Sequence, residues 1–269
     1  LLIGVSRSIL KTGFCQMTLG TARDSINIQN NSRRQLLVSV RDAQEAELCL
    51  QAGVDWVDLK EPTAGSLGMP QVQSAQQVAK LLADHPRRSV ALGELRDLQS
   101  KSLLQSASQL CQLFPIAKVG LQGVKDQADW QDQLLGLAQQ LSAKLTPVIY
   151  ADWKRCDAPE PMQVVAWAQS HASRFLLIDT YFKDGQRLLD HFSRQQLESL
   201  LEEADQSGTK VVLAGSLSMD DIPTLIDLPC AALAVRGAVC DGRREGKLCA
   251  QRIQDWISAL AQPSQEALT

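Results

Sequence analysis

Most of the chain repeats a two-part pattern. A short apolar run comes first, then a longer segment whose apolar positions fall three and four apart. From Gln35 onward the short runs read as buried strands and the longer segments as helices. The strands are predicted at 36–40, 54–59, 88–93, 116–121, 147–152, 175–180, 210–217 with its turn, and 232–238 with its turn. Helices are predicted at 41–52, 71–83, 99–113, 126–141, 161–170, 193–206, 220–228 and 248–260. Local signals support several boundaries. Asp42 can N-cap the first helix and Gly53 can end it; Pro161 and Ser193 open later helices, and Gly208 follows one. Trp130, Leu134, Leu137, Ala138 and Leu141 share one helical face.

Eight strand–helix units in sequence imply a parallel sheet with helices outside it. That number favours closure into a single α/β domain, a (β/α)8 or TIM barrel, and 269 residues suit it. No Gly-x-Gly-x-x-Gly follows the first strand, which counts against a dinucleotide fold. The barrel is expected over 35–262. Residues 1–34, partly Asn-rich, are expected to form a flexible extension, and 263–269 a tail.

Charged residues break this pattern at the carboxyl ends of strands: Asp58 and Lys60, Glu94, Lys118, Asp152, Asp179 with Lys183, and Arg236. Barrel closure would gather those ends at one mouth, where barrel active sites lie. Asp58 and Lys60 stand two apart and so share one face of an extended chain. A surface ion pair is the plainer reading of those two alone, and recurrence on most strands argues against it. Lys118 lies within an apolar strand, where a charge needs a partner; Asp58 and Asp179 are both candidates. Lysines sharing a pocket lower one another's pKa. A neutral lysine amine attacks a carbonyl to form a Schiff base, and nearby carboxylates can carry protons. Three lysines and three acids therefore suggest imine-based carbon–carbon chemistry.

The turns after the last two strands carry Gly215-Ser216 and Arg236-Gly237. Short Gly-containing turns at these places often hold a phosphate. We expect a phosphorylated carbonyl substrate there, with Arg236 either bonding to it or paired with an acid. The Gly-containing stretch 241–246 reads as a surface loop, with a cover over the mouth as the alternative. Trp56 and Trp153 flank site residues and are expected to line the pocket. Trp130, Trp167 and Trp256 are expected in helix cores.

Composition narrows the remaining possibilities. A net charge of −3 gives no footprint for nonspecific nucleic-acid binding. No apolar run reaches the roughly 18 residues of a membrane span. The seven cysteines show no metal-binding or redox spacing, so free thiols and a cytoplasmic setting are expected. Cys240 is expected to fill core rather than react. His85, His171 and His191 do not cluster with the acids, and we expect no metal and no cofactor. A homo-oligomer is also expected.

From about residue 36 to 260 the chain resembles the (5-formylfuran-3-yl)methyl phosphate synthase family of methanofuran biosynthesis. The resemblance rests on Leu37-Val-Ser39, Asp58-Leu-Lys-Glu-Pro62 with Gly65-Ser-Leu-Gly68, Lys118-Val-Gly-Leu121 and Tyr150-Ala-Asp152. It continues in Asp179-Thr180 with Lys183-Asp-Gly185, Ala214-Gly-Ser216 and Val235-Arg-Gly-Ala238. It implies a carbon–oxygen lyase that joins two glyceraldehyde 3-phosphate molecules, losing phosphate and water. It also implies Lys60 as the Schiff-base lysine, with Asp58, Lys118, Asp179 and Lys183 at the other catalytic positions. Glu61 departs from the family pattern, as do Trp153 and Lys154 after Asp152. Asp152 and Lys154 are therefore carried as a possible further site. Two other readings stand beside this one: another Schiff-base aldolase of sugar phosphates, and a noncatalytic barrel that binds a phosphorylated metabolite.

Overall fold

The computed structural model describes residues 33–261. Eight parallel strands pair in sequence order and close on themselves. They are β1 Leu36–Val40, β2 Trp56–Leu59, β3 Arg88–Glu94, β4 Ile116–Gly120, β5 Leu145–Tyr150, β6 Phe175–Asp179, β7 Lys210–Leu213 and β8 Ala232–Val235. Closure is made by β1 against β8, with Leu37 opposite Ala234. Between and after the strands run α1 Ala43–Ala52, α2 Val72–Leu81, α3 Lys101–Leu113, α4 Trp130–Leu141 and α5 Pro161–Ser170. The series ends with α6 Leu188–His191, α7 Arg194–Asp205, α8 Ile222–Leu225 and α9 Ala250–Leu260. The expected (β/α)8 barrel is the observed fold.

Local chemistry accounts for the boundaries. The Asp42 carboxylate accepts from the Glu45 N–H, and Gly53 ends α1 in the left-handed region. Ser193 and Gln196 form a reciprocal capping box at α7. The expected helix at 220–228 divides into a 3-10 turn, Met219–Asp221, and the single turn α8. Pro223 lies in that turn and has no N–H to donate. Helix α6 was not expected: one turn is too short for a period to register. Its Leu188 N–H donates to the Gly215 carbonyl at 2.9 Å, so it buttresses the turn after β7.

The core has two layers. Strand residues facing outward, including Val38, Leu59, Val119, Ile149 and Leu213, pack against the helices. Leu37, Trp56, Ala91, Val148, Tyr150, Leu177 and Ala232 belong to a separate apolar cluster that fills the barrel. Trp130, Trp167 and Trp256 are buried in the outer layer, as expected. Trp56 does not line the cavity at the carboxyl ends of the strands. It opens β2 at the amino-terminal end of the barrel, edge-on to Phe175 with ring centroids 5.0 Å apart, and its indole donates to Gln35.

The fold begins earlier than expected. Arg33 forms an ion pair with Asp55 at 2.7 Å. Arg34 donates to the carbonyls of Ile226, Leu228 and Cys230. Both arginines, assigned by pattern to the extension, thus bind the barrel. The rest of the expected extension (1–32) and the expected tail (263–269) lie outside the described residues. The six described cysteines are unpaired. Cys240 is buried and its thiol is pushed up by that burial, which fits core filling.

Candidate active site

A cavity of about 320 Å³ opens at the carboxyl ends of the strands. Asp58, Lys60, Lys118, Asp179 and Lys183 all line it, together with Gly215, Ser216, Gly237 and Arg244.

Asp58, on β2, is fully buried. Its carboxylate accepts from the Ser39 hydroxyl of β1 at 3.0 Å and the Ser89 hydroxyl of β3 at 2.6 Å. The Lys118 ammonium of β4 pairs with it at 2.6 Å. The cost of placing a lysine in a barrel strand is thus offset by a carboxylate two strands away. Of the two acids open to Lys118, it takes Asp58.

Asp179 ends β6 and forms the second centre. It receives the Lys183 ammonium at 2.7 Å, the Thr180 N–H at 2.8 Å and the Ser66 hydroxyl at 3.1 Å. Burial alone would raise its pKa, but Lys183 and Lys60 outweigh this and bring it down to about 2. The carboxylate is therefore ionised at neutral pH.

Between these pairs lies Lys60, just beyond β2. Its amine donates to the Ser66 carbonyl at 3.2 Å and has no direct carboxylate partner among the described residues. Burial, aided by the charges of Lys183 and Lys118, pulls its pKa from 10.5 down to about 7. Asp179 opposes that shift most strongly, Asp58 less so. The loop after Lys60 folds back on itself, with the Glu61 N–H donating to the Gly68 carbonyl at 2.9 Å. A Cβ on Gly68 would lie 2.0 Å from the Glu61 carbonyl oxygen, so the position admits only glycine. This return brings Ser66 back over the barrel to touch both Lys60 and Asp179.

The turns after β7 and β8 form one side of the cavity. Gly215 and Ser216 both have positive φ, +106° and +53°. For a serine this is a conformation more often tolerated at binding sites than elsewhere. The N–H groups of Gly215, Ser216, Gly237 and Ala238 have no protein acceptor among the described bonds. They form a ready cradle for an anion.

Three expectations need correction. The Arg236 guanidinium is not available to a phosphate. Its five N–H donors go to Glu45 (two bonds, 2.8 and 3.2 Å), Ser39 O, Arg244 O and Gly246 O. It is a buried structural ion pair, the acid-paired alternative. Asp152 lies outside the cavity and accepts the N–H groups of Tyr181 and Phe182 at 2.7 and 2.9 Å, fixing the turn that presents Lys183. Lys154 is exposed, with its ammonium 5.2 Å from the Trp153 ring centroid. Asp152, Trp153 and Lys154 line a separate open groove beside α5 and α7.

Glu94 also serves structure. It accepts from the Tyr150 hydroxyl at 2.6 Å and the Gln122 N–H at 2.9 Å, and burial raises its pKa. Gly120 leaves room for it: a Cβ there would lie 2.1 Å from the carboxylate.

Sequence reading missed Arg244 and gave Ser66 no role. Arg244 comes from the loop expected at the surface and lines the cavity. No period marks either residue; only the neighbouring glycines hint at a shaped loop.

The fold and site define an α/β barrel whose mouth carries two lysine–carboxylate pairs, a buried lysine amine with no carboxylate partner among the described residues, and an N–H cradle. Solved structures share the fold at low identity. Thiamine phosphate pyrophosphorylase from Pyrococcus furiosus superposes with a TM-score of 0.54 at 10% identity, covering 86% of this chain and 96% of that one. Within that class, the family described as 4-HFC-P synthase matches residues 36–257, and the chain belongs to it. A (5-formylfuran-3-yl)methyl phosphate synthase from Methanobrevibacter smithii is 30% identical over 220 residues, 79% of this chain and 93% of that protein. The protein of that name from Methanococcus maripaludis is 29% identical over the same length.

Proposed function

We propose that this protein joins two molecules of glyceraldehyde 3-phosphate into (5-formylfuran-3-yl)methyl phosphate, with release of one phosphate and two waters. The product would serve a methanofuran-type one-carbon carrier. The observation that carries the reading is the buried Lys60 amine, its pKa lowered to about 7, standing between two lysine–carboxylate pairs. Family membership and the names of the relatives support the product.

The neutral Lys60 amine attacks the carbonyl carbon of the first triose phosphate, and loss of water leaves an iminium. Asp179, the carboxylate Lys60 feels most, stabilises that cation and takes the α-proton to give an enamine. The enamine carbon attacks the second aldehyde. Lys183, bonded to Asp179, protonates the new alkoxide. Elimination of phosphate and two waters then closes and aromatises the ring, and one water, replacing that lost in forming the iminium, frees Lys60. Asp58 and Lys118 supply fixed charge opposite. The cradle of Gly215, Ser216, Gly237 and Ala238 binds a substrate phosphate.

The test is incubation with glyceraldehyde 3-phosphate, following furan absorbance and released phosphate. Borohydride reduction during turnover should place substrate mass on Lys60. Full activity in Lys60→Ala, or label on another lysine, would overturn the imine assignment.

A further inference from the structure

The proposed reaction brings two phosphates into one mouth, and the N–H cradle after β7 and β8 suits one of them. The described cations divide unevenly over the other. Lys118 and Lys183 are each paired with a carboxylate. Arg236 has no donor left. Arg244 differs from all three. Its Nη2 donates to the Gly65 carbonyl at 3.1 Å, and its remaining donors meet no acceptor among the described residues.

Its loop is built to hold it there. Cys240 and Leu248 form an antiparallel bridge, and the Asp241 N–H donates to Lys247 O at 2.9 Å. A Cβ on Gly246 would lie 2.2 Å from the Asp241 carbonyl, so the turn requires glycine. Arg236 grips the loop from below through Arg244 O at 2.7 Å and Gly246 O at 3.1 Å. Arg41 holds it from the side through Glu245 O at 3.0 Å. Three arginines thus divide the labour: Arg41 and Arg236 fix the loop, and Arg244 projects from it. The Arg244 side chain starts beside Gly237, with its Cβ 3.6 Å from a Cβ built there, and reaches across to Gly65. The next carbonyl along, Ser66 O, is the one that receives the Lys60 amine.

We propose that Arg244 binds the second phosphoryl group, on the β2 side of the mouth, and so selects a phosphorylated aldehyde as reaction partner. A planar guanidinium with free donors suits a phosphate, which can accept two parallel N–H bonds. This rests on the two-triose reading given above. The pairing also explains why the loop is fixed at its base although its tip is exposed.

The experiment has two arms with Arg244→Gln and Arg244→Lys. In the first, inorganic phosphate is titrated by calorimetry. Wild-type chain should bind two equivalents and Arg244→Gln one; two equivalents of unchanged affinity in Arg244→Gln overturn the proposal. In the second, KM for glyceraldehyde 3-phosphate should rise roughly 10- to 100-fold in Arg244→Gln, the loss of a charged hydrogen-bonding partner, with partial recovery in Arg244→Lys. An unchanged KM, or the same rise for unphosphorylated glyceraldehyde, also overturns it. If wild-type protein makes no furan product, the two-triose reading fails, and the phosphate titration still decides Arg244.

Discussion

Lys60→Met should make the protein more stable and inactive. In the folded chain burial lowers its pKa from 10.5 to about 7. Between those values the unfolded chain binds more protons than the folded one, so Lys60 makes stability rise with pH from about 7 to 10.5. Below that window the penalty is fully present. A shift of that size corresponds to on the order of 4 kcal/mol at pH 7, an upper figure because a real interior relaxes around a charge. Methionine fills similar length without a charge, and what is lost is one hydrogen bond to Ser66 O, worth about 1 kcal/mol. The expected net gain is about 1–3 kcal/mol at pH 7. Urea unfolding of both proteins at several pH values from 6 to 9 measures it. The difference between the two curves matters, because Cys49 and Cys156, pushed up to about 12, add an opposite slope once the unfolded thiols begin to ionise at about pH 8, and this cancels in the subtraction. A less stable Lys60→Met, or a difference that does not shrink as pH rises above 7, would refute the account of Lys60.

Two further substitutions probe the surroundings. Lys118→Met strands the Asp58 carboxylate with only two serine donors and should cost about 3–5 kcal/mol, most of it recovered when Asp58→Asn is added; chemical denaturation of the two variants checks the pair. Asp152→Ala leaves the Tyr181 and Phe182 N–H groups without their acceptor, with an expected loss of about 1–3 kcal/mol and a weaker hold on Lys183. Thermal unfolding and the pH profile of turnover read the two effects; an unchanged Tm would refute the bracing role.

Much of the architecture was legible because barrel physics writes itself into the chain at short range. Buried parallel strands demand apolar runs, helices demand their period, and a charge at a strand end stands out against both. Asp58, Lys60, Lys118, Asp179 and Lys183 were found this way, and closure brings them to one cavity. Partner choice was not legible. Arg236 and Arg244 stand eight residues apart in similar Gly-rich sequence. Only the packing of α1 places Glu45 under the first and leaves the second facing the cavity. Asp152 ends an expected strand as Asp179 does, yet it turns to the backbone of the next loop.

Short-range pattern along the chain set the number of strand–helix units, the face each charged residue shares and the conformations its glycines allow. These depend on neighbours within a few residues. The tertiary structure alone decided which carboxylate each cation meets and which donors stay free. Those outcomes depend on distances between strands that are far apart in the chain, and closing the barrel sets them all together.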